Sequence, residues 1–482
     1  MKGYSDRKTQ EIRDKLEDFG QSEVLRYWGE LNEQEKDKLI QQVLTLDFDE
    51  CQKAWEDITS PSPSPKNLSV PNNVFNEKKN PLKTNEYREL GESLISSSKV
   101  AAFTVAGGQG TRLGHSGPKG TFVSGPVSHN TLFRQFAENL TYFSNKFSIL
   151  PFWFIMTSPA NHSQTVDYFK KSNYFGYSEK NIKIFSQDTI PVFDENGNFL
   201  LEQKHKIATS PNGHGGSLKA LAQSGSLELM KNEGIDYISY FQVDNPLVYC
   251  LDPTFIGLHA NEEAEMSSKA VRKTEPNEKV GLFVVEGENS EVLEYSDAPE
   301  STLNARNPNG TLKFGLGNIA IHMFSRKFVD QLSGVKSSFN FRLPFHAARK
   351  KVSAVNRKGI IETPDKPNAI KAEMFVFDAL PLAKNSQILE ISRNQEFAPI
   401  KNAHGSDSIK SSVELQLERA KDWIQDEGEI AEPINNLEIS PLYAPTKAYF
   451  REERQKNTPY TLHKTKKGTL LLPKHNFTYK DD

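Results

Sequence analysis

The sequence predicts an α/β protein built on a mixed, mostly parallel sheet. Three observations carry this reading. From about Val100 onward, short apolar runs alternate with helical stretches, the pattern of strands joined by crossover helices. One of those runs, "VAAFTVA", passes directly into the glycine-rich "GGQGTRLGHSGPKG", as strands do where α/β sheets bind ligands. The chain's 482 residues also exceed one ordinary core, so two or three domains are expected.

Taken in order, Met1 to about Ile58 reads as helical. "EIRDKLEDFG" and "EKDKLIQQVLTLDFDECQKAWEDI" place apolar residues at helix spacing among charges. "TSPSPSPKNLSVPNN" follows as a Pro/Ser linker that no helix crosses. Strands are expected at "VAAFTVA", "PFWFIMTS", "IKIFSQ", "YISYFQVD", "VGLFVVE" and "LGNIAIHMF". Helices are expected at "NTLFRQFAENLTYFSNKF", "HSQTVDYFKKS" and "GGSLKALAQSGSLELMKNEG". Beyond Pro381 the sequence offers one helix, "SVELQLERAKDWIQDEG", and short β-like pieces such as "GTLLLP". The expected division is a helical N-terminal region with its linker at 1–95, a central α/β domain at 96–385, and a small C-terminal α+β domain at 386–482.

Composition excludes several classes. The net charge of −3 provides no basic field to draw nucleic acid. No apolar run has membrane-spanning length, and "MKGYSDRKTQEIRDKL" lacks the features of a signal peptide. Neither a nucleic-acid nor a membrane partner is expected, while a homodimer is compatible with the sequence. Cys51 and Cys250 are too few for a disulfide framework or a zinc ribbon, which suits a reducing cytoplasm. Cys250 follows an apolar run and reads as a core thiol.

The chemistry is concentrated in a few motifs. Gly107, Gly108 and Gly110 permit a tight turn that leaves backbone N–H groups facing a phosphate. Arg112 offers a planar fork of donors, and Pro118 stiffens the return that presents Lys119 as a point charge beside it. A P-loop is excluded because Gly120, not Ser or Thr, follows Lys119; a dinucleotide fingerprint is excluded because Leu113 stands where its third glycine belongs. The bland alternative is a surface turn with incidental cations, which the conjunction of strand, glycines, Arg112 and Pro-Lys-Gly disfavours. "FQVDN" places Asp244 at the end of a strand, where a carboxylate holds Mg²⁺ against a triphosphate or caps the next turn. "SPNGHGGSLKAL" sets Gly213, Gly215 and Gly216 before a helix, a second place for close backbone approach. Phe375 and Phe377 in "EMFVFD" stand at strand spacing on one face, and His322 reads as a core histidine. Arg349, Lys350 and Lys351 read as a solvated helix face.

"AGGQGTRLG…PKG" resembles the signature of the eukaryotic-type UDP-N-acetylhexosamine pyrophosphorylases, and further motifs follow in the same order over roughly 81–407. The resemblance implies a Rossmann-like nucleotidyltransferase domain. It also implies a reaction joining UTP and N-acetylglucosamine 1-phosphate to give UDP-N-acetylglucosamine and pyrophosphate. It implies Mg²⁺ on Asp244, and Arg112, Lys119 and Lys401 as the catalytic cations, with Lys401 reaching the sugar phosphate. Gly107, Gly108, Gln109, Gly110, Thr111, Gln187, Gly213, His214, Asn245, Glu294, Asn318, Phe375 and Phe377 would contact substrate. Within that set Gln187 would read the uracil edge, Glu294 and Asn318 the sugar hydroxyls, and the two phenylalanines the N-acetyl group. The chain departs from the family at Asn212 (Asp in the family), His214 (Asn), Asp297 (Glu), Ile321 (Asn) and His404 (Asp). The sugar-site changes leave broader use of glucose or N-acetylgalactosamine 1-phosphate as an alternative. A non-catalytic nucleotide-sugar binder and a dinucleotide oxidoreductase are the rival classes. Retention of the four charged residues argues against the first, and Leu113 argues against the second.

Overall fold

The six apolar runs expected as strands form strands at Val100–Val105, Trp153–Thr157, Ile182–Ser186, Tyr237–Gln242, Leu282–Glu286 and Leu316–Ser325. The computed structural model describes residues 2–60, 67–333, 342–427 and 436–474. Residues 61–66 of the expected linker lie outside them. The chain gathers into two units. The larger comprises Pro65–Ser186, Leu218–Phe341 and Ala379–Asp482; the smaller comprises Met1–Ser64, Gln187–Ser217 and Arg342–Asp378.

The larger unit carries the main sheet. Its order is Val74–Asn76, Ser386–Ile391, Met266–Arg272, Leu316–Ser325, Tyr237–Gln242, Val100–Val105, Trp153–Thr157, Ile182–Ser186. Leu316–Ser325 runs antiparallel to both of its neighbours, and the other pairings are parallel. From Val100–Val105 the chain winds outward through Trp153–Thr157 to Ile182–Ser186, then returns to Tyr237–Gln242 on the opposite side. The winding therefore reverses between Val100–Val105 and Tyr237–Gln242, the kind of place where open α/β sheets leave a crevice at their carboxyl ends.

Met266–Arg272 was not legible as a strand. It reads "MSSKAVR", yet it is buried along its length up to Arg272. The Lys269 ammonium, fully shielded, pairs with Asp252 at 2.5 Å and with Glu396, which removes the cost of an isolated buried charge. The helix Leu132–Phe147 starts at Thr131, whose hydroxyl accepts from the Arg134 N–H at 3.3 Å. Its Phe133 and Phe136 rings meet Trp153, Phe169 and Phe241 edge-on. After 385 the chain adds the helices Ile409–Glu427 and Lys447–Gln455 and a three-stranded sheet containing "GTLLLP". Trp423, Tyr449 and Leu471 share one buried cluster with Phe143 and Trp153. These C-terminal residues thus extend the core of the larger unit across the boundary expected at 385.

In the smaller unit the second helical stretch breaks into Glu33–Thr45 and Phe48–Thr59, because Asp47 caps a new helix through the Glu50 N–H at 2.9 Å. Trp55 packs on Phe193, and Phe48 on Phe199. Phe345–Lys350 pairs antiparallel with Ala369–Met374. Arg349, Lys350 and Lys351 are exposed, as expected, but the first two lie on this strand rather than on a helix. The stretch from Gly215 to Gly234 forms two helices, parted at Gly225 with φ +75°.

Two helices of the larger unit, Pro81–Ser96 and Pro253–Asn261, pack through glycines. A Cβ at Gly91 would lie 1.9 Å from the Pro253 carbonyl oxygen, and one at Gly257 would lie 1.7 Å from that of Tyr87. Neither neighbour is a flexible side-chain tip. Gly257→Ala is expected to cost about 3 kcal/mol or more by forcing the helices apart, since ordinary overpacking already costs 1–3. A denaturant melt of the variant against the native chain measures it, and an unchanged midpoint would contradict this packing.

Candidate active site

The glycine-rich loop leaves the strand Val100–Val105 and returns on itself. Gly110 N–H donates to the Gly117 carbonyl at 2.9 Å, and Lys119 N–H to the Gly108 carbonyl at 3.1 Å. The residue in left-handed backbone conformation is Gly114, φ +71°, rather than any of the first three glycines. Of those, Gly110 serves space, because a Cβ there would strike the His115 ring at 2.7 Å, whereas nothing lies within 4 Å of one at Gly108. His115 Nε2 meets the Thr121 hydroxyl at 2.7 Å, and that hydroxyl donates to the Pro118 carbonyl at 2.8 Å. The hydroxyl proton is thereby used, so His115 Nε2 is the donor of the pair.

The next strand braces the loop from outside. Asn161, 1% exposed, donates to the Ala106 carbonyl at 2.9 Å and the Gly108 carbonyl at 3.1 Å. Ser158 donates to the Gly107 carbonyl at 2.8 Å, and Gln109 donates to that of Ala160. The loop carbonyls are thus turned inward and occupied. Among the described residues no hydrogen bond takes the N–H groups of Gly107, Gly108, Gln109, Thr111 or Arg112. Arg112 is exposed and has no ion-pair partner among them. Rows of unpaired N–H groups with the carbonyls directed away make an anion-binding concavity.

Asp244 follows the strand on the other side of the reversal. Its Oδ2 accepts from Lys119 Nζ at 3.3 Å, with both side chains largely shielded. Burial opposes its charge, but Lys119 and Lys401 outweigh burial and hold the carboxyl below its ordinary range. It therefore stays ionised through neutral pH and well into acid. Lys401 lies on the segment that returns after 396; its ammonium is 3.8 Å from Asp407 Oδ2. Asp407, which sequence reasoning passed over, feels the Asp244 charge, and burial raises its carboxyl although Lys401 opposes this. Its signal was weak, a lone Asp after "KNAHGS". Asn245, expected to contact substrate, is buried with its amide engaged on backbone: it donates to the Glu396 carbonyl at 2.6 Å and accepts from Leu247 and Ala398 N–H. That placement corrects the expectation for Asn245.

Elsewhere in the larger unit the two residues expected to hold sugar hydroxyls flank one glycine. The Asn318 N–H donates to the Gly281 carbonyl at 2.8 Å, and a Cβ at Gly281 would approach Glu294 Oε1 to 3.0 Å. Ala320, at φ +56°, sits in the register shift between the His322–Ser268 and Asn318–Ala270 pairs. Ile321 and His322 face the core, His322 within 2.9 Å of the Ser268 hydroxyl. Cys250 is fully buried and its thiol is raised well above the usual range.

In the smaller unit Gln187 is buried, and Gly213 bends at φ +85° beneath the Met374 backbone. His214 Nδ1 accepts the Val376 N–H at 3.2 Å, and its ring stacks on Phe375 at 5.4 Å. His346 also stacks on Phe375, at 4.5 Å, and bonds Asp378 at 2.8 Å. Phe375 closes the strand Ala369–Met374, whereas Phe377 lies in a 3₁₀ turn; the two do not alternate on one strand, although their rings lie 5.1 Å apart.

An open α/β sheet that gathers bare amides, two lysines and an ionised carboxylate at its winding reversal defines a phosphate-handling protein of the nucleotidyltransferase class. The chain belongs to the UTP–glucose-1-phosphate uridylyltransferase family, whose signature spans residues 38–442. UDP-N-acetylhexosamine pyrophosphorylase-like protein 1 of Xenopus tropicalis is 36% identical over 413 residues, 82% of this chain and 80% of that protein. UDP-N-acetylglucosamine pyrophosphorylase of Saccharomyces cerevisiae is 33% identical over 444 residues, 87% of this chain and 92% of that one. The solved uridine diphosphate N-acetylglucosamine pyrophosphorylase of Trypanosoma brucei, 24% identical, shares the fold with a TM-score of 0.79 over 94% of this chain and 97% of that one.

The brace yields a test. Asn161→Ala strands two buried loop carbonyls, so it is expected to destabilise the larger unit by about 2–3 kcal/mol. Urea unfolding should show an earlier midpoint, and a midpoint equal to that of the native chain would mean the loop holds its shape without Asn161.

Proposed function

We propose that the protein joins UTP and N-acetylglucosamine 1-phosphate, releasing pyrophosphate and leaving UDP-N-acetylglucosamine. The observation that carries this reading is the Lys119–Asp244 pair at the winding reversal, beside the unpaired loop amides. The sugar-phosphate oxygen is already an anion and needs no general base. It attacks the α-phosphorus of UTP, the bond from that phosphorus to the α,β-bridging oxygen breaks, and pyrophosphate leaves with the electron pair. The obstacle is the approach of two polyanions, so catalysis is positioning and charge neutralisation. The loop amides and Arg112 receive the departing phosphates, Lys119 follows the charge that develops there, and Lys401 orients the incoming sugar phosphate.

The residues fit a divalent cation. Asp244 is ionised, and no side chain among the described residues other than Lys119 donates to it. Mg²⁺ needs one or two carboxylates when substrate oxygens and waters complete its shell. Asp244 would hold it, and the ion would supply positive charge on the phosphate oxygens. Gln187 is proposed to read the uracil, and Glu294 and Asn318 the sugar hydroxyls. Among the described residues no helix is long and apolar enough to cross a membrane, and two buried thiols suit a reducing cytoplasm. The imidazole stacked on Phe375 covers apolar surface expected for the acetyl group, which supports secondary use of glucose or N-acetylgalactosamine 1-phosphate.

Pyrophosphate release tests the reaction. Arg112→Ala and Lys119→Ala should each lower kcat/KM by ~10²-fold or more, about 3 kcal/mol of lost charge-assisted contact, with folding little changed. Asp244→Asn should abolish turnover without rescue by added Mg²⁺, and full activity of the native chain in EDTA would remove the metal. For specificity, kcat/KM is measured with the three sugar 1-phosphates. N-acetylglucosamine 1-phosphate should lead, and His214→Asn should widen its lead; an unchanged ratio would take His214 out of the sugar site.

A further inference from the structure

We infer that Asn245 is a positioning residue that sets Lys401 against Asp244, with the buried Lys269 pairs anchoring the far end of the same segment. The inference rests on the proposed role of Lys401 at the sugar phosphate. Asp244 and Lys401 stand on separate parts of the chain, and something must fix the distance between them. The residue after Asp244 performs that task. Asn245 is 4% exposed, and its Nδ2 donates to the Glu396 carbonyl at 2.6 Å while its Oδ1 accepts the Ala398 N–H at 3.1 Å. Two residues further, Ile400 N–H donates to the carbonyl of Asp244 itself at 2.9 Å. The backbone around the carboxylate and the backbone leading to the lysine are therefore fastened to one another directly.

The segment is also held from behind. The Glu396 side chain, 4% exposed, pairs with Lys269, and Lys269 pairs with Asp252 at 2.5 Å. Asp252 in turn caps the helix Pro253–Asn261 through the Thr254 N–H at 3.1 Å. Lys269 belongs to the central strand Met266–Arg272, so the anchor reaches the middle of the sheet. Ser412 adds a third tie by donating to the Ala398 carbonyl at 2.6 Å. The fixed course ends at Lys401, whose N–H donates to the Asp407 carbonyl at 2.7 Å and whose side chain is 38% exposed. All motion left to the ammonium is thus its own rotamer freedom. Replacing Asn245 frees the Ala398 N–H and the Glu396 carbonyl and lets the segment drift, and a misplacement of about 1 Å in a reacting group can cost ~10²-fold.

The test is a double-mutant cycle on the full chain, read by pyrophosphate release with UTP and N-acetylglucosamine 1-phosphate. Asn245→Ala should lower kcat/KM for the sugar phosphate by roughly 10- to 100-fold while the KM for UTP stays within about threefold. In a Lys401→Ala background the same change should cost less than about threefold, because the group it positions is gone. Penalties that multiply in the double variant, or a KM for UTP that rises as far as that for the sugar phosphate, would overturn the inference and leave the reaction standing. A harmless Lys401→Ala would instead remove the proposed role of Lys401, and the inference with it. If Asn245→Ala fails to fold, Glu396→Gln carries the same cycle: its smaller penalty should also vanish without Lys401, and a penalty that persists counts against the positioning role.

Discussion

The site depends on two opposite charges held side by side, Lys119 and Asp244, at the open ends of adjacent parallel strands. Each comes from the turn that follows its strand, and the register that pairs Val105 with Gln242 decides that the turns meet. Opposite charges at 3.3 Å near a protein surface attract by a few kcal/mol before the cost of desolvation. The pair, together with Lys401, therefore keeps a carboxylate ionised in a shielded place where burial works against its charge. It also keeps a lysine pointed inward before any phosphate is present. On the proposed function, an anion entering the loop would compete with Asp244 for that lysine, and a cation would compete with the lysine for Asp244.

At the start of the glycine-rich loop rigidity is achieved by occupying carbonyls rather than amides. Asn161 and Ser158 take the carbonyls of Ala106, Gly107 and Gly108, whereas the segment that carries Lys401 is tied through both its carbonyls and its N–H groups. In the loop such bonds fix the backbone while leaving the N–H groups of Gly107, Gly108, Gln109, Thr111 and Arg112 available. Preorganised donors of this sort need no rearrangement as charge moves between phosphates.

The fold was legible wherever an apolar run could be heard above its neighbours. The six strands read from "VAAFTVA" to "LGNIAIHMF" are present because fully buried strands need continuous apolar faces. Met266–Arg272 escaped because its burial is made possible by Asp252 and Glu396, partners that no local window contains. The loop and Asp244 were legible because glycine, cation and carboxylate types are restricted by the chemistry itself. Asn245 was misread for the same reason in reverse: an amide beside a strand-end carboxylate looks like a ligand contact, and the backbone groups of Glu396 and Ala398 that hold it stand about 150 residues away. Phe375 and Phe377 were placed by strand spacing, but the strand ends at Met374, so their neighbourhood arises from a turn.

The buried Lys269 also constrains the order in which the polypeptide can mature. Asp252 and Lys269 are synthesised before Glu396, which lies 127 residues beyond Lys269. Until that carboxylate arrives, the centre of the sheet holds one of its two counter-charges and lacks the strand Ser386–Ile391 that flanks it. Synthesis must therefore pass four-fifths of the chain before the interior is electrically complete. A product ending near residue 385 would lack both the strand that covers this sheet edge and one of the two carboxylates beside the buried cation.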